Sequence, residues 1–282
     1  ATTITTMAAA PSSTASSTPP ITAISWTGGK DCHLALHYAQ RNPQLQVQYL
    51  VTFRPEEANF RAHPISIMQA QATALGLELL FVTIPSSPDT DYRQAYVDGI
   101  RQLQQTYGIT VLCTGDIDTM ILGTIPRNWI EECCEAVGNG MKSYLPLWQK
   151  NREECLQELI HGDATTKDRP AFEIIFTCVK SPFFDASWIG RRLDSDAWQE
   201  IQNKIAQGLT PEQVEEGIQP LDPCGERGEY HTMCINGPMY QKRVELFLNQ
   251  EPHRQDIEGG TKWKGNIHNA ETLWFVSLKD AE

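Results

Sequence analysis

The sequence predicts an α/β fold: a parallel sheet flanked by helices, followed by a smaller α+β region. Three observations lead there. Strand-like and helix-like segments alternate from Ile21 to Trp148, the pattern of βαβ units. Leu79–Ile84 is an unbroken apolar run, as expected of a strand covered on both faces. After Trp148 the alternation breaks, which sets three regions: a tail at 1–20, an α/β region at 21–148 and a smaller α+β region at 149–282.

The elements follow in order. Ile21–Ser25 is a short apolar strand, and a helix starts near Asp31 and continues through Leu34–Ala39. Leu45, Val47, Tyr49, Val51 and Phe53 alternate with period two, a strand signal. Ile65, Met68, Ala72 and Leu75 recur at helical spacing and end at Gly76, a stop signal. Tyr92–Tyr107 reads as a helix with Tyr92, Tyr96, Ile100 and Leu103 on one side. Ile109–Cys113 is a strand, Arg127–Val137 a helix and Ser143–Trp148 a strand. Beyond Trp148, Arg152–Ile160 is helical and Phe172–Val179 is a strand. Thr210-Pro211-Glu212-Gln213 carries a capping signature. Asn236-Gly237, between Tyr230–Ile235 and Met239–Phe247, predicts a hairpin.

Composition narrows the function. The 282 residues carry 23 Lys+Arg against 35 Asp+Glu, a formal net charge of −12. That balance disfavours nucleic acid, whose binding relies on neutralising phosphates. Eight cysteines show no CxxC spacing, so neither a zinc ribbon nor a thioredoxin-type site is expected. Reduced thiols and a cytoplasmic location are expected. No apolar run reaches the ~20 residues that cross a bilayer. The start, "ATTITTMAAAPSSTASSTPP", is poor in heavy apolar residues and is expected to be disordered. The first Lys or Arg is Lys30, which argues against an Arg-rich transit peptide.

The stretch "ISWTGGKDCHLAL", Ile24 to Leu36, places two glycines, a lysine and an aspartate between a strand and a helix. It fits neither the Walker A pattern nor GxGxxG. A strand, a tight Gly-Gly turn and a helix N-terminus still form an anion site, because backbone N–H groups converge there. Lys30 adds a cation, and Asp31 suits Mg²⁺ better than phosphate. "TGD", Thr114–Asp116, also follows a strand directly, so both loops are expected at one crevice off the carboxyl ends of the strands. The bland reading is a tight βα turn with no ligand.

"SWTGGKDC" resembles the SGGKDS pyrophosphate loop of ATP pyrophosphatases. "TGDIDT" resembles a GDI motif, and "PRNWIEECCEAVG" an arginine-x-tryptophan-x-glutamate helix. "YLPLWQKNREECLQELI" resembles a PLW segment, "FDASWIGRRLD" a WLGR motif, and "DPCGERGEYHTMCINGPMY" the pattern DPCGExGExHTxxxxGPxx. Together, from about Ile21 to Val244, they resemble the diphthine–ammonia ligase family. The resemblance implies a Rossmann-like PP-loop ATPase fold of HUP type.

It also implies a reaction. The carboxylate of diphthine, a modified histidine on elongation factor 2, attacks the α-phosphate of ATP. Pyrophosphate leaves, and ammonia converts the acyl-adenylate to diphthamide and AMP. Within that reaction Gly28 and Gly29 would stabilise the departing pyrophosphate, with Ser25, Thr27 and Cys32 completing the loop. Lys30 would neutralise a phosphate, and Asp31 would hold Mg²⁺. Gly115 and Asp116 would serve the nucleotide or the same metal; the alternative for Asp116 is a cap. Thr27 and Cys32 stand where the family has serine. Cys32 is either a reactive thiolate at a helix N-terminus or a small tolerated substitute. His63, in "FRAHPIS", is expected either against phosphate or as a helix-entry residue.

"CGERGEYHT" gathers Glu226, Glu229, Tyr230 and His231 around Gly225 and Gly228. Acidic and aromatic groups suit a trimethylammonium, and Glu226, Glu229 or His231 can deprotonate ammonium. The alternative is a charged turn. Trp188-Ile189-Gly190-Arg191-Arg192 offers a guanidinium pair for phosphate or carboxylate, or a surface turn with a buried Trp. Arg127 and Glu131 can form a helix salt bridge as readily as a substrate contact. His33 and His37 are expected only as helix residues. Two other functions stay open: adenylation of a different acceptor such as a tRNA base, and nucleotide binding without catalysis.

Overall fold

Alternating apolar side chains build the central sheet of the computed structural model, which describes residues 18–56, 60–85, 91–117, 127–162, 171–258, 262–263, 266–267 and 271–281. The expected disorder of the tail falls almost wholly on residues outside these. Strands β1 (Ile21–Ser25), β2 (Gln46–Pro55), β3 (Glu78–Ile84), β4 (Val111–Cys113) and β5 (Lys142–Tyr144) form a five-stranded sheet in the order β3-β2-β1-β4-β5. Every neighbouring pair is parallel. Successive residues serve opposite faces. Ile24 and Leu50 join one core with helices α1 (Lys30–Arg41) and α2 (Ile65–Leu75). Ala23 and Val51 join another with α3 (Tyr92–Tyr107) and α4 (Trp129–Val137). This is the Rossmann-like arrangement expected. The strand order reverses between β1 and β4, the place where such sheets bind ligands.

Local chemistry sets the ends of the elements. Gly76, left-handed at φ 68°, closes α2 as the stop signal predicts. α4 begins after Arg127, because the Asn128 side chain accepts from the N–H groups of Ile130 and Glu131. The strand expected over Ser143–Trp148 is limited to β5. Pro146 has no N–H to give, and the Trp148 N–H turns back to the Leu145 carbonyl at 3.3 Å.

The second half contains α5 (Arg152–His161), β6 (Glu173–Lys180), a single 3-10 turn at Ala186–Trp188, α6 (Ser195–Gln207), α7 (Pro211–Glu215) and β7 (Tyr230–Asn236). Helix α6 has no counterpart in the sequence reading. The capping box at Thr210 forms as predicted. Strands β8 (Leu246–Leu248), β9 (His253–Ile257), β10 (Lys262–Trp263), β11 (Asn266–Ile267), β12 (Glu271–Phe275) and β13 (Leu278–Ala281) follow. An antiparallel sheet runs β7-β6-β12-β9, so the C-terminal segment, to which the sequence assigned no role, completes it. β8 pairs with β13, and β10 with β11.

The hairpin expected at Asn236-Gly237 does not form. The outer edge of β7 is taken instead by the glycine loop: the Cys234 N–H donates to the Gly28 carbonyl at 3.0 Å. The chain turns at Gly237 and returns only as far as the Val244 N–H, which donates to Ile235. The largest core therefore runs from Ile24, Trp26 and Leu34 to Phe176, Tyr230 and Met233, joining both halves. All eight cysteines are buried and unpaired. Among the described residues no helix is long and apolar enough to cross a membrane.

The β4 loop meets α1 closely. A Cβ at Gly115 would lie 2.6 Å from the backbone of Asp31. Gly115→Ala is therefore expected to cost about 1–3 kcal/mol through overpacking. Urea unfolding would show it, and an unchanged midpoint would contradict this packing.

Candidate active site

The site grows from the turn between β1 and α1. Gly28 has φ 77°, a conformation that disfavours side chains, and a Cβ there would meet Gln71 at 2.4 Å and Met233 at 2.5 Å. Gly29 caps α1 without a side-chain bond, so the helix opens toward the cavity with its positive end. The N–H groups of Thr27 and Gly28 point at the Cys32 sulfur. The Lys30 N–H donates to Thr232 Oγ1 at 3.3 Å.

A cavity of about 230 Å³ lies over this turn, lined by Thr27, Gly29, Lys30, Asp31, Cys32, His63, Gly225, Glu226, Gly228, Tyr230, His231 and Thr232. The two constellations of the sequence thus face one another. Lys30 Nζ bridges them, 2.7 Å from Asp31 Oδ2 and 3.3 Å from Glu226 Oε1. Burial works against the lysine charge, yet Asp31 and Glu226 outweigh it and hold the pKa well above the ordinary lysine value. Burial raises the Glu226 carboxyl, opposed by Lys30 and reinforced by Asp31.

Asp31 Oδ1 is buried with no hydrogen-bond partner. No group of three or more His, Cys, Asp or Glu is placed to hold a metal among the described residues. Mg²⁺ is held by one or two carboxylates plus substrate phosphates. Asp31, with Glu226 on the same lysine, fits that pattern.

Several expected residues stand elsewhere. Both Glu229 oxygens accept backbone N–H groups, Asp222 at 2.8 Å and Arg227 at 3.0 Å, and Glu229 does not line the cavity. Its geometry is that of a loop brace. Asp222 braces the other end, accepting from Cys224 and Glu226 N–H while paired with Arg152. Tyr230 is buried and packs against Phe176 and Phe184; its hydroxyl donates to Pro223. Tyr230 is the one Phe, Tyr or Trp among the cavity-lining residues. Asp116 is exposed and accepts at 2.7 Å from the side chain of Asn128, the residue that caps α4. Ser25 is half-buried at the end of β1. Burial, the largest influence, pushes the Cys32 thiol up to about 11, so it is no reactive thiolate; it donates to the Gly29 carbonyl at 3.1 Å.

The residues that shape the turn went unnoticed in the sequence. Gln71 Nε2 donates to the carbonyls of Gly28, at 3.0 Å, and Cys234, at 2.7 Å, and Oε1 accepts from the Trp26 indole at 3.1 Å. The signal was available: Gln71 is polar on the apolar face of α2 that carries Ile67, Met68 and Leu75. His33, four residues after Gly29, gives Nδ1–H to the Gly29 carbonyl at 2.8 Å and has Nε2 2.6 Å from the Tyr240 hydroxyl. Burial lowers its pKa to about 3, so the ring is neutral and Nε2 accepts from Tyr240.

The chain is similar to known proteins along most of its length. The family model for the diphthamide synthase N-terminal domain matches residues 21–143 and that for the C-terminal domain residues 164–268. The chain belongs to the diphthamide synthase family. A diphthine–ammonia ligase of Schizosaccharomyces pombe is 30% identical over 126 residues, which cover 45% of this chain and 17% of that protein.

The other motifs singled out in the sequence lie away from the cavity. Arg127 is exposed and pairs with Glu131 and Glu135. Trp129 packs edge-on against Tyr96 with centroids 4.5 Å apart. Trp188 is buried, Arg191 stacks on it at 4.5 Å, and Arg191 also grips Glu200 through two hydrogen bonds. None of these lines the cavity.

Gln71→Leu would strand the Trp26 indole and take one of two donors from the Gly28 carbonyl, which keeps the Cys234 N–H. At about 1–3 kcal/mol for a buried group left unpaired, a loss of at least ~1 kcal/mol is expected in urea unfolding. A loss below ~0.5 kcal/mol would show that the amide is not what holds the turn.

Proposed function

We propose that the chain is an ATP-dependent ligase that amidates diphthine on elongation factor 2 to diphthamide, through an acyl-adenylate, with release of AMP and pyrophosphate. The observation that carries this reading is the single cavity shared by the glycine turn and the Glu226 loop, with Lys30 between them. Family membership supports it, and the arrangement supplies each chemical need.

The reaction builds negative charge on departing pyrophosphate. Backbone amides of Thr27, Gly28 and Gly29 would stabilise that charge, those of Thr27 and Gly28 exchanging the Cys32 sulfur for a phosphate oxygen. The helix α1 dipole acts in the same direction. Lys30 stays charged because two carboxylates flank it, and an arriving phosphate takes their place. Asp31 would hold Mg²⁺, which would supply Lewis-acid stabilisation of phosphoryl oxygens when bound. Gly115 lets the β4 loop close on α1, and Asp116 on that loop would serve the nucleotide from outside the cavity. In the acceptor half, Gly225 and Gly228 shape the loop that carries Glu226, and Glu229 holds that loop rather than touching substrate. The carboxylate of Glu226 and the face of Tyr230 are the cavity groups suited to a trimethylammonium. Arg127, Trp188 and Arg191 have no part in this reading. Residues 21–148 would supply the nucleotide and 149–282 the acceptor contacts.

ATP–pyrophosphate exchange tests the reading. Exchange that requires diphthine-modified elongation factor 2 is expected; exchange without it, or only with tRNA, would assign another acceptor, and none at all would leave nucleotide binding alone. Asp31→Ala is expected to lower AMP release at least ~100-fold with an unchanged unfolding midpoint. Normal AMP release by that variant would remove Asp31 from the mechanism.

A further inference from the structure

The cavity holds two imidazoles that the phosphate chemistry leaves unused. His63 sits in the turn before α2 and His231 on β7, and their rings meet edge to face with centroids 5.2 Å apart. Both line the cavity. His63 lies over the glycine turn, its Cε1 3.7 Å from where a Gly29 Cβ would be.

The tautomer of His63 follows from its partners. The Thr27 backbone beside the ring acts to raise its pKa, as a carbonyl does, while Nδ1 is buried and meets no partner. A ring nitrogen facing a carbonyl must carry the proton, so Nε2 is the donor and Nδ1 holds the lone pair. Burial, then His231, then Lys30 keep the ring neutral, lowering its pKa to about 3. His231 is neutral too, lowered to about 4 by burial, then Lys30 and Lys180.

A lone pair at Nδ1 cannot bond a phosphate oxygen, which has only lone pairs to offer. The phosphate contact considered for His63 in the sequence is therefore the wrong chemistry for this atom. Nδ1 needs an N–H or O–H donor.

We propose that His63 Nδ1, with the His231 ring beside it, binds the ammonia that enters for amidation. Ammonia gives one N–H to Nδ1 and keeps its own lone pair free for the acyl carbon. Neutral imidazoles suit that ligand because they bind it as ammonia and do not return a proton to it. The proposal rests on the function proposed above. A nucleotide hydroxyl or amino group is the competing donor.

Steady-state kinetics of the full chain with varied ammonium chloride separate the two. His63→Phe removes the acceptor. His63→Asn places an amide oxygen near the position of Nδ1, and His63→Gln near that of Nε2. His63→Phe is expected to raise KM for ammonia about tenfold or more while KM for ATP is retained. His63→Asn is expected to recover most of the loss and His63→Gln little of it, a difference that a purely structural role would not produce. A rise in KM for ATP with KM for ammonia unchanged overturns the proposal in favour of the nucleotide, and no change in either overturns it outright. Failure of the functional reading shows separately, as wild-type protein without acceptor-dependent exchange. In that case the ring ¹⁵N signal of His63 still decides: a shift with ammonium chloride at alkaline pH, absent with sodium chloride, is expected, and no shift refutes the site.

Discussion

One buried amide keeps the glycine turn in shape. Gln71 spans the turn, α2 and β7, bonding Gly28, Trp26 and Cys234 with its two terminal atoms. Gly28 cannot flip without breaking that bond, and its left-handed backbone leaves no room for a side chain. His33 does the same for Gly29, and Tyr240, in the turn after β7, backs His33. Both clamps cross from the parallel sheet to the antiparallel one. The turn is thus built jointly by the two halves of the chain, which is why they share one core.

Electrostatics follow from that placement. An acidic protein puts a fully buried lysine at the mouth of its helix α1. Without partners Lys30 would lose its proton. Asp31 and Glu226 prevent this, and they come from opposite sides of the cavity. The ion cluster is a standing charge balance that an incoming polyphosphate can exchange into. The carboxylate oxygen left unpaired, Asp31 Oδ1, and the unpaired nitrogen, His63 Nδ1, mark two different demands: one for a cation, one for a donor. They are separate because each sits on its own element, α1 and the turn before α2.

The parallel sheet was legible because its signals are local. The period-two pattern of β2, the unbroken β3 run and the Gly76 stop each depend on neighbouring residues only. Both glycine-containing loops were legible as well, since no other residue types fit so tight a strand exit. What the sequence hid depends on distant partners. The Asn236-Gly237 hairpin signal was overruled because the β7 edge was already committed to Gly28. The C-terminal strands carry weak patterns and are defined by pairing with β6. Glu229 looked catalytic from its spacing, but only the fold reveals that its oxygens are spent on Asp222 and Arg227. Gln71 was visible as a polar residue in an apolar stripe, yet nothing local says what it holds.

The central claim is that the amides of the turn bind the outer phosphates of a nucleotide. Titrating ¹⁵N-labelled protein with pyrophosphate and following the backbone resonances tests it without turnover. Saturable shifts at Thr27, Gly28 and Gly29, together with the Lys30 amide freed from Thr232, are expected. Saturation that leaves these four unmoved while other amides respond would place the phosphates elsewhere and contradict the account.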